Sequence, residues 1–163
     1  MRPASVPLGG RTFTLREATE ADVPALAALL ADDGIAAPRE EPEDLAAYLL
    51  AFRAIDEDDA HLLVVAEDLD GTIAATLQLT LIPGLSRRGM VRGQIEAVRV
   101  ATAYRGGALG SLLVRWAADE ARVRGAGLVQ LTTDLRRTDA IRFYERLGFV
   151  GTHLGMKRDL RSG

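Results

Sequence analysis

The chain contains no cysteine and only two histidines, His61 and His153. The first absence excludes a disulfide framework, a thiolate zinc site and a cysteine nucleophile, and the second leaves no histidine-rich metal cluster. No run of about 18 apolar residues is present, so no membrane span is expected. The opening MRPASVPLGG lacks the apolar stretch of a secretory signal, and a cytoplasmic protein is expected. Positive charge is not in excess: 20 Lys and Arg face 23 Asp and Glu, for a net charge of −3. Such a balance argues against nonspecific contact with nucleic acid, whose phosphates favour basic surfaces. There is no internal repeat and no low-complexity tract. What remains is 163 residues with 48% hydrophobic and 26% charged side chains, the balance of a single globular domain over 1–163.

Periodicity divides the chain into elements. Residues 11–17 alternate as a strand, and Thr19 then caps a helix over 21–30, with Asp22 three residues after the cap. DDGIAAPREEP reads as a loop and 43–55 as a second helix, with Leu45, Tyr48, Leu49 and Phe52 on one face. Residues 61–67 and 72–82 form a hairpin about Asp70-Gly71, GLSRRG is a loop, and 91–100 is the next strand. Leu109, Leu112, Leu113, Trp116 and Ala117 fall at helical spacing, in a helix ending near Gly125. A strand at 128–133 and a helix at 139–147 stopped by Gly148 follow, and 149–158 gives one or two final strands. The order predicts a mixed α/β fold: a largely antiparallel, twisted sheet of six to seven strands with helices on both faces.

One strand-to-helix turn draws attention: Tyr104-Arg105-Gly106-Gly107-Ala108-Leu109-Gly110-Ser111. A helix N-terminus presents unpaired N–H groups and a partial positive charge, and glycines let a ligand approach the backbone, so a phosphate is the natural guest. Arg105 could add a bidentate contact. Two familiar phosphate loops do not fit. Gly110 stands where a Walker lysine would be, and Ala108 and Leu109 interrupt a dinucleotide fingerprint. A tight connection with glycines for geometry alone is the structural alternative.

Together with AIRFYERLGF at 140–149, this turn resembles the GNAT superfamily, the Gcn5-related N-acetyltransferases. Their acetyl-CoA loop runs Arg or Gln, any, any, Gly, any, Gly or Ala. Here Arg105, Gly106, Gly107, Ala108, Leu109 and Gly110 stand at those places, with Ala108 replacing the family's Gly. A methyl group is tolerated there if φ is negative, as at a helix start. Arg137 stands where the family often has Asn. The resemblance is sharp over 91–150. It implies a pyrophosphate on the backbone from Arg105 to Ser111. It also implies a pantetheine arm paired like an extra strand with Val98, Arg99 and Val100, between two splayed strands.

Acetyl transfer to an amine requires a base, an oxyanion donor and a proton for the departing thiolate. Period two places Glu96 on the face of Val98 and Val100, where partial burial would suit a base. The family often carries an acidic residue on this strand in that role. A salt bridge to Arg92 or Arg99, or a carboxylate at the sheet edge, is the alternative. The resemblance places Tyr144 near the sulfur as proton donor, although Ala140, Phe143, Tyr144 and Leu147 also form an ordinary core stripe. Phe143 packs or walls the cofactor cleft, and a backbone N–H near Val98 would face the oxyanion. The acidic runs REEPED and IDEDD, the segment TTDLRRTD, and Ser86 to Arg88 read mainly as solvated surface, with His61 and His153 structural or exposed.

The expected activity is therefore direct acetyl transfer from acetyl-CoA to the primary amine of a small molecule, with no metal. A protein or peptide acceptor, and an acyl-CoA-binding sensor without turnover, are the other readings. Family members often dimerise, and nothing in the sequence marks an interface.

Overall fold

The computed structural model describes residues 1–32 and 40–160. Its centre is one six-stranded sheet in the order β1-β2-β3-β4-β5-β6. The strands are β1 (Ala4–Leu8), β2 (Arg11–Glu17), β3 (His61–Glu67), β4 (Ile73–Ile82), β5 (Val91–Val100) and β6 (Ala126–Leu131). The helices are α1 (Val23–Ala31), α2 (Leu45–Asp56), a four-residue turn α3 (Ser86–Gly89), α4 (Leu109–Val123) and α5 (Thr138–Arg146). All pairings are antiparallel except β5 with β6, the pair that α4 links as a crossover. Neither α4 nor any other helix of the described residues is long and apolar enough to cross a membrane.

Two cores lie on opposite faces of the sheet. On one, Leu15, Val64, Leu77, Leu79 and Ile95 meet Leu109, Leu113, Val114, Ala117 and Ala121 of α4. Helical spacing put those α4 residues on one stripe, and burying each large aliphatic chain contributes about 1.5–3 kcal/mol. Gly93 lets α4 approach: a Cβ there would come within 3.0 Å of Ala121 Cβ and 3.1 Å of Val129 Cγ1. On the other face Ala18, Val23, Leu26, Phe52 and Val65 bury α1 and α2.

The sequence and the structure part at three elements. β1 was not anticipated; it pairs with β2 through the two-residue turn Gly9-Gly10, both left-handed at φ 60° and 79°. Helix α1 begins at Val23 after a 3-10 turn over Glu20–Asp22, with Pro24 in its first turn. The final strand expected at 149–158 is absent from the described sheet. Its alternate residues Val150, Leu154 and Met156 are exposed, and Gly151 and Gly155 offer no side chain to pack, so the alternation has no core to face. Of the expected loop at 32–42, residues 33–39 lie outside the described residues.

Asp22 joins α1 to the sheet. Its carboxylate accepts Arg16 Nη1 at 2.7 Å and Nη2 at 2.9 Å, and the Thr19 N–H and hydroxyl at 2.7 and 3.0 Å. The Arg16 bond, ahead of the opposing effect of burial, holds the Asp22 carboxyl below the usual carboxylate range.

Candidate functional site

The cleft opens where β5 and β6 part. Their pairing stops at Ile95 and Leu131, while β5 continues beside β4 to Val100. Among the described residues, 96–100 thus have a strand neighbour on one edge only. Within them Ala97 has φ 51°, and the register against β4 slips by one residue between Thr76 and Gln78. This is a β-bulge.

The bulge corrects the expected placement of Glu96. Glu96 lies opposite Gln78 and Arg99 opposite Thr76, so Glu96 and Arg99 share a face. Val98 and Val100 turn to the other face and pack against the α4 core. The extra residue uses up one step of the alternation, which a strict period of two cannot anticipate. Glu96 is exposed rather than partly buried. Its carboxylate faces solvent on the side of β5 opposite Val98 and Val100.

The same strand shows which backbone groups face the cleft. The Ala101 N–H donates to Ala74 O at 2.9 Å, so residues 99 and 101 point their backbone toward β4. By alternation Val98 and Val100 point theirs to the open edge. Both carbonyls are covered by arginines: Arg99 Nη1 donates to Val98 O at 2.9 Å and Arg105 Nε to Val100 O at 3.0 Å.

From there the chain makes a 3-10 turn at Thr102–Tyr104 and enters the glycine-rich segment. The Tyr104 hydroxyl donates to Asp68, a bond that pushes the phenol up, and its ring stands edge-on to Phe13 at 5.9 Å. Asp32, at the end of α1, accepts Thr102 Oγ1 at 2.9 Å and Arg105 Nη2 at 3.2 Å. The Arg105 guanidinium is thus engaged with Val100 and Asp32 rather than turned over the glycines. Asp68 and Asp32 went unnoticed in the sequence, since nothing local marks a contact across 36 or 70 residues.

Gly106 is left-handed at φ 80°, and so is Ala108 at φ 63°. The negative φ expected at Ala108 is therefore corrected; holding an L-residue there costs about 1–2 kcal/mol. The strain positions Ala108 as the N-cap of α4, where its carbonyl accepts the Leu112 N–H at 3.0 Å. The amides of Gly106, Gly107, Ala108, Leu109, Gly110 and Ser111 have no backbone acceptor among the described residues. They gather at a helix N-terminus, the arrangement that holds a phosphate.

Helix α5 closes the far side. A Cβ placed on Gly110 would lie 3.5 Å from both Phe143 Cζ and Val100 Cγ2, so three elements converge within a methyl's width. Tyr144 stands edge-on to Phe143 at 5.0 Å and to Phe149 at 5.8 Å. Burial pushes its phenol up, against a smaller lowering effect from Arg99 and Arg137. Tyr144 therefore remains a proton donor at neutral pH. The cleft brings together Val98, Arg99, Val100, the turn from Arg105 to Ser111, Phe143 and Tyr144. Glu96 lies on the opposite face of β5.

Elsewhere, Asp134 pairs locally with Arg136 at 2.7 Å, His153 is exposed, and Ser86 to Arg88 form an exposed turn. The run IDEDD helps wall a cavity of about 210 Å³ with His61 and Phe52. Among the described residues no group of three His, Cys, Asp or Glu is placed to hold a metal ion.

Residues 24–149 match the model of the Acetyltransferase (GNAT) family. The chain belongs to that family. Among GNAT relatives, the chain is 34% identical over 145 residues to the streptothricin acetyltransferase of Streptomyces lavendulae, covering 89% of this chain and 67% of that one. It is 41% identical over 68 residues to the aminoalkylphosphonate N-acetyltransferase of Salmonella typhimurium, a match spanning 42% of this chain and 44% of that protein's length. In three dimensions it is similar to a structure described as a transcriptional regulator from Bacillus halodurans C-125. The two are 43% identical with TM-score 0.88, over 91% of this chain and 99% of that one.

Proposed function

We propose that this GNAT protein transfers the acetyl group of acetyl-CoA directly to the primary amine of a small molecule. The observation that carries the reading is one cleft with three parts: an unpaired strand edge at Val98 and Val100, unpaired amides at the start of α4, and the half-buried Tyr144 phenol. These fit the extended amide arm, the phosphates and the thioester of acetyl-CoA, which supplies an activated acyl carbon when bound. The names of the Salmonella and Streptomyces relatives favour a small acceptor.

In this reading Glu96 receives the proton that the amine must lose; a lysine-like amine holds it with a pKa of about 10.4. The carboxylate is exposed, and Glu96 acts from the acceptor side of β5 directly or through one water. The Val98 N–H, on the open edge, donates to the oxygen of the tetrahedral intermediate. Tyr144 donates toward the departing sulfur. A phenol near pKa 10 giving its proton to a thiolate near 8.5 goes uphill by about 2 kcal/mol, and burial adds to that. Tyr144 therefore acts as a hydrogen-bond donor, with proton transfer concerted with bond cleavage.

The test is thiol release from acetyl-CoA across a panel of small amines and short peptides. With Glu96→Gln or Tyr144→Phe, kcat should fall at least about tenfold while KM for acetyl-CoA changes little. Full turnover in either variant removes that residue from the mechanism. The Bacillus relative's description favours one second reading, in which acyl-CoA is bound and sensed without turnover. Binding of acetyl-CoA with no thiol release to any amine or peptide would decide for it.

A further inference from the structure

The register of the sheet lines up polar side chains from four strands. His61 on β3 lies opposite Thr80 on β4, Thr80 opposite Gln94 on β5, and Gln94 opposite Gln130 on β6. One step nearer the cleft, Gln78 lies opposite Glu96. All are on the face that α1 and α2 cover, yet the neighbouring positions of that face, Leu63 and Val65, belong to its apolar core. The side chains bond to one another. Gln78 Nε2 donates to Thr80 Oγ1 at 3.5 Å, and Thr80 Oγ1 bonds His61 Nδ1 at 2.9 Å. Gln130 Nε2 donates to Gln94 Oε1 at 2.8 Å.

Two features give this row a direction. It crosses β5 and β6 at Gln94 and Gln130, one residue before their last pair, Ile95 and Leu131, where the strands part. It also ends beside Glu96, the exposed carboxylate of that face. The row thus forms a half-buried, hydrogen-bonding surface leading to the cleft mouth from the side opposite the α4 amides.

Resting on the transfer reading above, we infer that this row is the acceptor platform, and that it selects an amine bearing hydroxyl or amide groups. Carboxamides and a hydroxyl each donate and accept, which matches hydroxyls and amides on a ligand. Such groups are poor partners for a phosphonate or phosphate, which calls for guanidinium or ammonium donors. Among the described residues no arginine or lysine hydrogen-bonds to Gln78, Thr80, Gln94 or Gln130, and Arg99, on the same face beyond Glu96, donates to Val98 O. Arg92 lies one pleat further from the cleft, opposite Ile82 and Leu128. The carboxylate at the cleft end favours the ammonium that is to be acetylated. His61 and Thr80 orient Gln78, and Gln94 and Gln130 orient each other.

The experiment compares glucosamine, glycinamide, 2-aminoethylphosphonate and propylamine as acceptors, for the wild type and the double variant Gln94→Leu/Gln130→Leu. In the wild type, kcat/KM for glucosamine or glycinamide should exceed that for the other two by about tenfold or more. The double variant should lose that preference through a higher acceptor KM, with KM for acetyl-CoA unchanged. A wild-type preference for the phosphonate, or a preference kept by the variant, overturns the inference. Binding of glucosamine and glycinamide in the presence of CoA is titrated alongside. Binding of either that the double variant loses, without turnover in the wild type, sinks the transfer reading and leaves the platform standing. Equal binding by both proteins, or none by the wild type, sinks the platform.

Discussion

Ala108 shows at a single residue how the turn was assembled against local preference. Its methyl sits at φ 63°, where glycine would be relaxed. Ala108→Gly should therefore raise unfolding free energy by about 1 kcal/mol in urea, with acetyl-CoA affinity kept. Asp22 carries the opposite sign of prediction. Its carboxyl is depressed in the folded protein, chiefly by Arg16. The stabilisation is present above the unfolded value of about 3.9 and is lost as pH falls through the lower folded value. Asp22→Asn should cost about 3–5 kcal/mol near neutral pH, by leaving Arg16 half-paired, and should flatten the acid limb of a stability–pH curve. For Tyr144, whose phenol is pushed up, the charge change lies above about pH 10. Its donor role should hold across neutral pH, and any alkaline limb of kcat it causes should vanish in Tyr144→Phe.

At the scale of elements, periodicity read β3 and β5 to the residue and placed α4 and α5 within about two residues; for α4 the signal was one buried stripe from Leu109 to Ala121. Glu96 shows where that reading failed. Strict alternation grouped it with Val98 and Val100, but the bulge at Ala97 moved it to the other face. A bulge inserts one backbone step without any residue type that demands it, so no local signal existed. The glycine-rich turn was legible because only its sequence could expose so many amides. Its anchors Asp32 and Asp68 were not, being contacts between distant segments. Close packing of α4 onto β5 gives a further prediction. Gly93→Ala pushes a methyl to 3.0 Å from Ala121 Cβ, which should cost about 1–3 kcal/mol and lower Tm.

For the whole molecule, the sheet divides labour by its two faces and one parted pair of strands. The α4 face holds the larger core and the glycine-rich turn; the other face holds the smaller core and the polar row. Before any ligand arrives, Arg99 and Arg105 already supply donors to Val98 O and Val100 O. An amide arm that pairs with this edge must displace them, so association is a swap of partners at nearly constant hydrogen-bond count. In the proposed complex the displaced Arg105 would stand beside the open amides at the start of α4. In that complex the strand edge and the glycine-rich turn would act as one relay, in which docking the arm releases Arg105 toward the turn. Pantetheine lacking the nucleotide should consequently bind with little net heat, whereas full CoA should bind exothermically with a strong salt dependence. Arg105→Gln should abolish most of that difference in titration calorimetry.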